Sequence, residues 1–306
     1  MDIRNILYNT DKLKERLPSL NIDSIFLEQD ENLEKVFYED EKLHELRSCS
    51  KILVAMAIGI AIDKGMLTLD TLVYPVIKNV VNITNKNNIE KIKKWSIRNL
   101  LTHTTGYEKI IMSAKEIEEK QLDINNIIDY ALNVDIPYEV GERFAYNNVE
   151  PFILSVFFQE SFGINLADFI KDNIFEKLDI KEYKWDNYGK YCPGCTGLFL
   201  KHFDFHKIGK LLLNNGKYNN RQIIPVNWII EMCKMQFKTP LICKEERVLP
   251  KFGVGYFTFI SRDGFIFRDG SNGQYIIINK EKKLLITIMS SEPNMKNVTE
   301  ILRDLI

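Results

Sequence analysis

The spacing of hydrophobic and polar positions changes character twice along the chain. Ser24 to Gln29 and Leu33 to Tyr38 are β-rich runs separated by Asp30-Glu31-Asn32, which predicts a hairpin. The densest apolar run, Ile52 to Ile62, follows. Ser48 is a preferred helix-start type and Lys64-Gly65 a preferred stop, so this run predicts a buried helix. From about Leu67 to Met235 helical spacing dominates, over Ser96 to Leu101, Asn125 to Leu132, Glu150 to Phe162, Leu166 to Leu178 and Phe203 to Asn214. After Pro250 the pattern returns to strands: Gly253 to Ile260, a turn at Ser261 to Gly264, then Phe265 to Arg268, Gln274 to Asn279 and Leu284 to Met289. A last helix is expected near Asn297 to Leu305.

Strands at both ends with helices between them predict a mixed α/β (α+β) fold, in which one antiparallel sheet is assembled from the two chain ends. The expected division is 1–70 with 236–306 as the sheet domain and 71–235 as a mainly helical insertion, with a cleft at the junction. Repeats, low-complexity tracts and Pro/Gly-rich linkers are absent from the sequence.

Composition narrows the function classes. The chain has 306 residues, 45% hydrophobic and 27% charged, with 41 basic against 42 acidic residues. A net charge of -1 gives no reason to expect a nucleic acid, and the short basic stretch Lys91 to Lys94 is flanked by acids. The run Ile52 to Ile62 covers 11 residues, whereas a membrane-spanning helix needs about 20, so no membrane partner is expected. The first residues do not read as an export signal. Five cysteines, an odd number, fit reduced thiols better than a disulfide framework, and the expected location is the cytoplasm.

The first chemical signal is Ser48-Cys49-Ser50-Lys51. On a helix, positions i and i+3 share a face, so the Lys51 side chain can approach the Ser48 hydroxyl. A serine becomes an effective nucleophile when a neighbouring base takes its proton, and a helix start supplies free N–H groups for a developing oxyanion.

Around this motif the chain resembles the serine β-lactamase-like and penicillin-binding protein superfamily, in particular its class C-related hydrolases. Leu46 to Lys51, running on to Asp63-Lys64-Gly65-Met66-Leu67-Thr68-Leu69-Asp70, is similar to the nucleophile helix of that family. Ile97 to Gly106 (Ile-Arg-Asn-Leu-Leu-Thr-His-Thr-Thr-Gly) resembles a chiefly structural family segment, which makes His103 a buried, hydrogen-bonded residue rather than a catalytic one. Tyr146-Asn147-Asn148 resembles the family's Tyr-x-Asn motif. Tyr218-Asn219-Asn220 has the same letters in the setting of a surface turn.

The resemblance implies Ser48 as nucleophile, Lys51 and Tyr146 as proton-transfer partners, and Asn148 as a substrate-binding residue that orients substrate or lysine. Its fourth element falls on Arg268-Asp269-Gly270-Ser271, where glycine permits close backbone approach and the Ser271 N–H joins that of Ser48 as an oxyanion hole. Asp269 stands where the family carries a hydroxyl residue that helps hold a substrate carboxylate. A carboxylate there repels a penicillin or a D-Ala-D-Ala terminus unless Arg268 compensates. Arg262-Asp263-Gly264 reads as a hairpin turn.

The implied reaction is acyl transfer from a small-molecule ester, amide or β-lactam, with no cofactor and no metal. Whether Lys51 or Tyr146 is the principal base is left open, as are the natural substrate and the oligomeric state. The alternative is a non-catalytic or slowly acylating binding or sensor protein on the same fold. A zinc reading of Cys192-Pro193-Gly194-Cys195 with His202 and His206 is disfavoured, because six residues between the second cysteine and the first histidine are fewer than a finger uses.

Overall fold

A computed structural model of the chain describes residues 17–38, 42–242 and 249–306. The sheet strands are β1 (Ile22–Gln29), β2 (Asn32–Tyr38), β3 (Phe237–Ile242), β4 (Lys251–Val254), β5 (Phe259–Ile260), β6 (Ile266–Gly270), β7 (Gln274–Asn279) and β8 (Leu284–Ser290). They form one eight-stranded sheet in the order β2-β1-β8-β7-β6-β5-β4-β3, with antiparallel neighbours throughout. The expected sheet from both chain ends is therefore present, joined where β1 pairs with β8.

Both faces of this sheet are covered. Alternation along β1 points Ile25 and Leu27 to one side, where Val298, Ile301, Leu302 and Leu305 of the C-terminal helix complete an apolar layer. Ser24, Phe26 and Glu28 occupy the alternate positions, facing the helix His202–Leu213. That helix falls inside the expected insertion yet packs on the sheet, and its core is continuous with Ile276, Ile278, Leu285 and Met289.

Helix α1 (Lys51–Asp63) is apolar all round, and residues 51–61 are buried. Gly59 lets the Trp228 indole lie flat on it: a Cβ there would meet the ring at 2.1 Å. The indole N–H donates to the Ala55 carbonyl at 2.9 Å. Helix α2 (Ile97–Leu101) starts on a Ser96–Asn99 capping box. Helix α3 (Val149–Phe162) ends on Gly163 in the left-handed region. Helices α4 (His202–Leu213) and α5 (Met295–Leu305) complete the long elements. Among the described residues no single helix is long and apolar enough to cross a membrane.

Three expectations are corrected. Ser48 does not cap a helix; it lies within a 3-10 turn, Arg47–Ser50, that runs directly into α1. The strand expected over Gly253 to Ile260 is two strands, because Gly255 to Thr258 turns away from the sheet. Tyr256 N–H bonds to Met232 O at 3.0 Å, and Phe257 N–H, at φ +54°, bonds to Leu101 O at 3.0 Å. The helix expected over Leu166 to Leu178 is α-helical at Leu166–Ile170 and continues as a π turn and a 3-10 turn.

Candidate active site

Three chain segments meet at Ser48. The 3-10 turn and α1 bring Ser48 and Lys51 onto one face, with Lys51 Nζ donating to Ser48 Oγ at 3.2 Å. The segment before α3 brings Tyr146, whose Oη is 2.8 Å from Ser48 Oγ. Strand β6 brings Arg268, whose Nη2 donates to Tyr146 Oη at 3.1 Å.

Local chemistry fixes each position. Arg47, immediately before Ser48, has φ +49°, a conformation a non-glycine residue adopts at a cost of about 1–3 kcal/mol and that clusters at functional sites. Ser50 Oγ, with one proton to give, lies within hydrogen-bond distance of the carbonyls of Arg47 (2.9 Å) and Gly194 (3.1 Å), which sets the turn against the Cys192–Cys195 loop. Lys51 is buried and donates to Asn148 Oδ1 at 2.7 Å, Tyr146 Oη at 2.9 Å and the Cys195 carbonyl at 3.3 Å. Asn148 is held in turn by Nδ2, which donates to Met112 O at 3.0 Å. Asn147 is buried and takes Ile111 N–H at 3.1 Å, pinning the loop in front of the site.

Arg268 is buried at the floor. Its Nε donates to Ser48 O at 3.1 Å and its Nη1 to Phe257 O at 3.3 Å, the carbonyl exposed by the turn at Gly255 to Thr258. A buried guanidinium persists when its donors are satisfied, and here they are taken by protein groups. Gly270 closes the junction: a Cβ there would lie 2.9 Å from the Leu46 carbonyl and 3.0 Å from Arg47 Cβ. Ser271 begins the exposed turn beyond it. Asp269 pairs with Lys251 of β4, Nζ to Oδ1 3.2 Å.

The electrostatics converge on one oxygen. Burial pushes the Tyr146 phenol up, but Lys51 and Arg268, together with the hydrogen bonds of Lys51 and Ser48, outweigh it and hold the phenol below its ordinary value. Ser48 and Tyr146 remain partly exposed, while the two cations lie buried against them.

His103 is a bolt behind this group. Its Nδ1 is 3.1 Å from Glu150 Oε2, its carbonyl takes the Ala145 N–H at 2.9 Å, and its ring packs 5.0 Å from the Tyr146 ring, centroid to centroid. Burial pushes the Glu150 carboxyl up to about 8 against the Thr105 hydrogen bond, and burial holds the His103 imidazole well below its usual range.

The remaining sequence candidates separate. Tyr218 ends the strand Lys217–Tyr218 of a surface hairpin whose turn, Asn219-Asn220, has φ +45° and +62°. His202 and His206 turn toward Ser24, Thr287 and Glu28, away from any shared site with Cys192 and Cys195. Among the described residues no cluster of three or more His, Cys, Asp or Glu is arranged to hold a metal. Sequence reasoning missed Lys251, the Cys195 carbonyl and the Phe257 carbonyl; the two carbonyls carry no sequence signal at all.

Comparison with known proteins bears on the family and the fold. The sequence profile of the Beta-lactamase family matches residues 35–208, more than half of the chain. The chain belongs to the Beta-lactamase family. Penicillin-binding protein 4* of Bacillus subtilis (strain 168) is 26% identical over 165 residues, which cover 50% of this chain and 32% of that protein, so the match spans about a third of the relative. The fold is similar to a putative 6-aminohexanoate-dimer hydrolase from Bacillus anthracis, with TM-score 0.76, 20% identity and coverage of 96% of this chain and 80% of the other. It is also similar to an octameric penicillin-binding protein homologue from Pyrococcus abyssi, with TM-score 0.74, 18% identity and coverage of 99% and 78%. The mixed α/β architecture is thus that of β-lactamase and penicillin-binding protein-like folds.

Proposed function

We propose that this β-lactamase-like protein is a serine hydrolase that acts on a small ester, amide or lactam through an acyl-enzyme on Ser48. The observation that carries the reading is the 2.8 Å contact between Ser48 Oγ and a phenol oxygen that also receives N–H donors from Lys51 and Arg268. Two cations on one phenol favour phenolate, and a phenolate at that distance is a base for the serine proton.

In the first half-reaction Tyr146 takes the Ser48 proton as Oγ bonds to the substrate carbonyl carbon. The oxygen of the tetrahedral adduct gains the negative charge, facing the N–H groups of Ser48 and Ser271. The C–O or C–N bond then breaks, and the leaving group takes the proton from Tyr146. In the second half-reaction Tyr146 takes a proton from water as its oxygen attacks the acyl carbon, and Ser48 departs with that proton. Lys51 acts as a hydrogen-bond donor in this scheme, because the Asn148 and Cys195 oxygens it reaches can only accept. Four buried free thiols, Cys49, Cys192, Cys195 and Cys233, support a reducing compartment, consistent with a cytoplasmic enzyme.

The test is stopped-flow hydrolysis of a p-nitrophenyl ester. The expected result is a burst approaching one equivalent of nitrophenolate per chain in wild type, absent in Ser48→Ala. Steady turnover in Ser48→Ala equal to wild type removes Ser48 from the mechanism.

A further inference from the structure

Asn147 stands in the chain between Tyr146 and Asn148, and its fully buried side chain bonds to backbone rather than to the reacting groups. Its Nδ2 donates to Lys109 O at 3.0 Å and its Oδ1 takes the Ile111 N–H at 3.1 Å, so one amide grips two backbone groups of the same loop. The same Oδ1 takes the N–H of Asn148 at 2.9 Å and of Val149, the first residue of α3, at 3.3 Å. A buried amide satisfied in this way keeps one orientation, because any other leaves polar groups unpaired away from water. The loop is thereby fixed against the segment that carries Tyr146 and Asn148.

The next residue of that loop continues the chain to Lys51. Met112, at φ +61°, presents its carbonyl to Asn148 Nδ2 at 3.0 Å, and its N–H bonds to Glu116 Oε2 at 2.7 Å. With Nδ2 committed to that carbonyl, Asn148 turns Oδ1 toward Lys51 Nζ at 2.7 Å. The opposite amide orientation would point N–H groups at a lysine that is itself donating. Lys51 in turn reaches Tyr146 Oη at 2.9 Å and Ser48 Oγ at 3.2 Å.

We propose that Asn147 is a positioning residue for the reaction: through the Met112 carbonyl and Asn148 it sets the place of Lys51 against Tyr146 and Ser48. This rests on the reading of Ser48 as nucleophile and Tyr146 as base. The effect has a sign. Lys51 helps to hold the Tyr146 phenol below its ordinary value, so a displaced Lys51 leaves the phenol higher and moves the rising limb of kcat/KM to higher pH.

The experiment measures kcat/KM against pH on a neutral p-nitrophenyl ester for wild type, Asn147→Ser, Asn148→Ala and the double variant. Each rate is expressed per reactive Ser48, counted by fluorophosphonate labelling, so that lost folded protein drops out. Serine keeps a hydroxyl for the Val149 N–H at the start of α3 but is too short to span Lys109 and Ile111. Asn147→Ser is expected to lower kcat/KM by about 10–100-fold and to move its rising limb up by about half a pH unit or more. In the Asn148→Ala background the same substitution is expected to cost less than about threefold, because the chain is already cut. Glu116→Ala, at a partly exposed side chain, releases Met112 from its other side and serves as the test if Asn147→Ser does not fold. It is expected to move the limb in the same direction, although loss of a negative charge by itself lowers a phenol pKa. Costs that multiply in the double variant, or a limb unmoved in Asn147→Ser or in the variant that stands in for it, overturn the proposal and leave Ser48 as nucleophile. Wild type without Ser48-dependent hydrolysis overturns the nucleophile reading instead, and the positioning proposal falls with it.

Discussion

Around Ser48, two buried cations converge on one phenol oxygen, and the hydrogen-bonded chain ends at a hydroxyl open to the cleft. Between α4 and the sheet lies a second polar chain of similar length. Ser24 Oγ meets His202 Nδ1, His202 Nε2 and His206 Nδ1 both meet Thr287 Oγ1 at 2.9 and 2.8 Å, and His206 Nε2 meets Glu28 Oε2 at 3.1 Å. Lys210 closes it on Glu28 at 2.9 Å. The second network is buried through its two imidazoles, and burial holds both of them neutral, His202 well below its ordinary value and His206 below it despite Glu28. Charge in this network is confined to one ion pair at its end. The contrast is one of charge: the histidine network balances its charge in one ion pair at its end, whereas around Ser48 two buried cations gather beside a partly exposed hydroxyl.

That comparison can be broken or sharpened by substitution. Tyr146→Phe removes the proposed base and keeps the ring against His103, and kcat/KM is expected to fall by about 10²–10⁴-fold, measured on a neutral p-nitrophenyl ester. Activity within a few-fold of wild type would assign the base role to Lys51. Arg268→Lys keeps a charge but loses the fork that reaches Tyr146, Ser48 and Phe257 together. Because Arg268 helps lower the phenol pKa, its loss raises it, less phenolate is present at neutral pH, and the rising limb of kcat/KM against pH moves to higher pH. An unmoved limb separates Arg268 from the ionisation.

The second network responds in stability rather than rate. Histidines held below their unfolded pKa bind fewer protons folded than unfolded, so stability is full above about pH 6.5 and is lost as pH falls below it. Glu150, pushed up to about 8, acts with the opposite sign, losing stability as pH rises from the ordinary carboxyl range toward that value. The difference between wild type and His206→Gln cancels Glu150. In urea unfolding from pH 7 to 5 the variant is expected to be less stable at pH 7 and to show a shallower acid slope. Equal slopes would mean that His206 is not held neutral.

Much of the site is legible in the sequence because it is local. Ser48 and Lys51 are one helical turn apart, Tyr146 and Asn148 two residues apart, and both spacings survive the correction of a cap to a 3-10 turn. Strands of period two such as Gln274–Asn279 are also readable. The Lys251–Asp269 pair is not, since it exists only once β4, β5 and β6 lie in order. Nor is the small sheet of His44–Glu45, Leu198–Leu200 and Tyr183–Trp185, whose strands are too short to carry a period. The histidines at 202 and 206 share a helical face by spacing alone, but it is the placement of that helix on the sheet that hands them Ser24, Thr287 and Glu28 in place of a metal.

The most direct measurement is intact-protein mass spectrometry after exposure to a fluorophosphonate, with peptide mapping, on wild type and Ser48→Ala. One phosphonyl adduct on wild type, mapped to Ser48 and absent from the variant, is the expected result. An adduct that persists in Ser48→Ala, or none on folded wild type, contradicts the account.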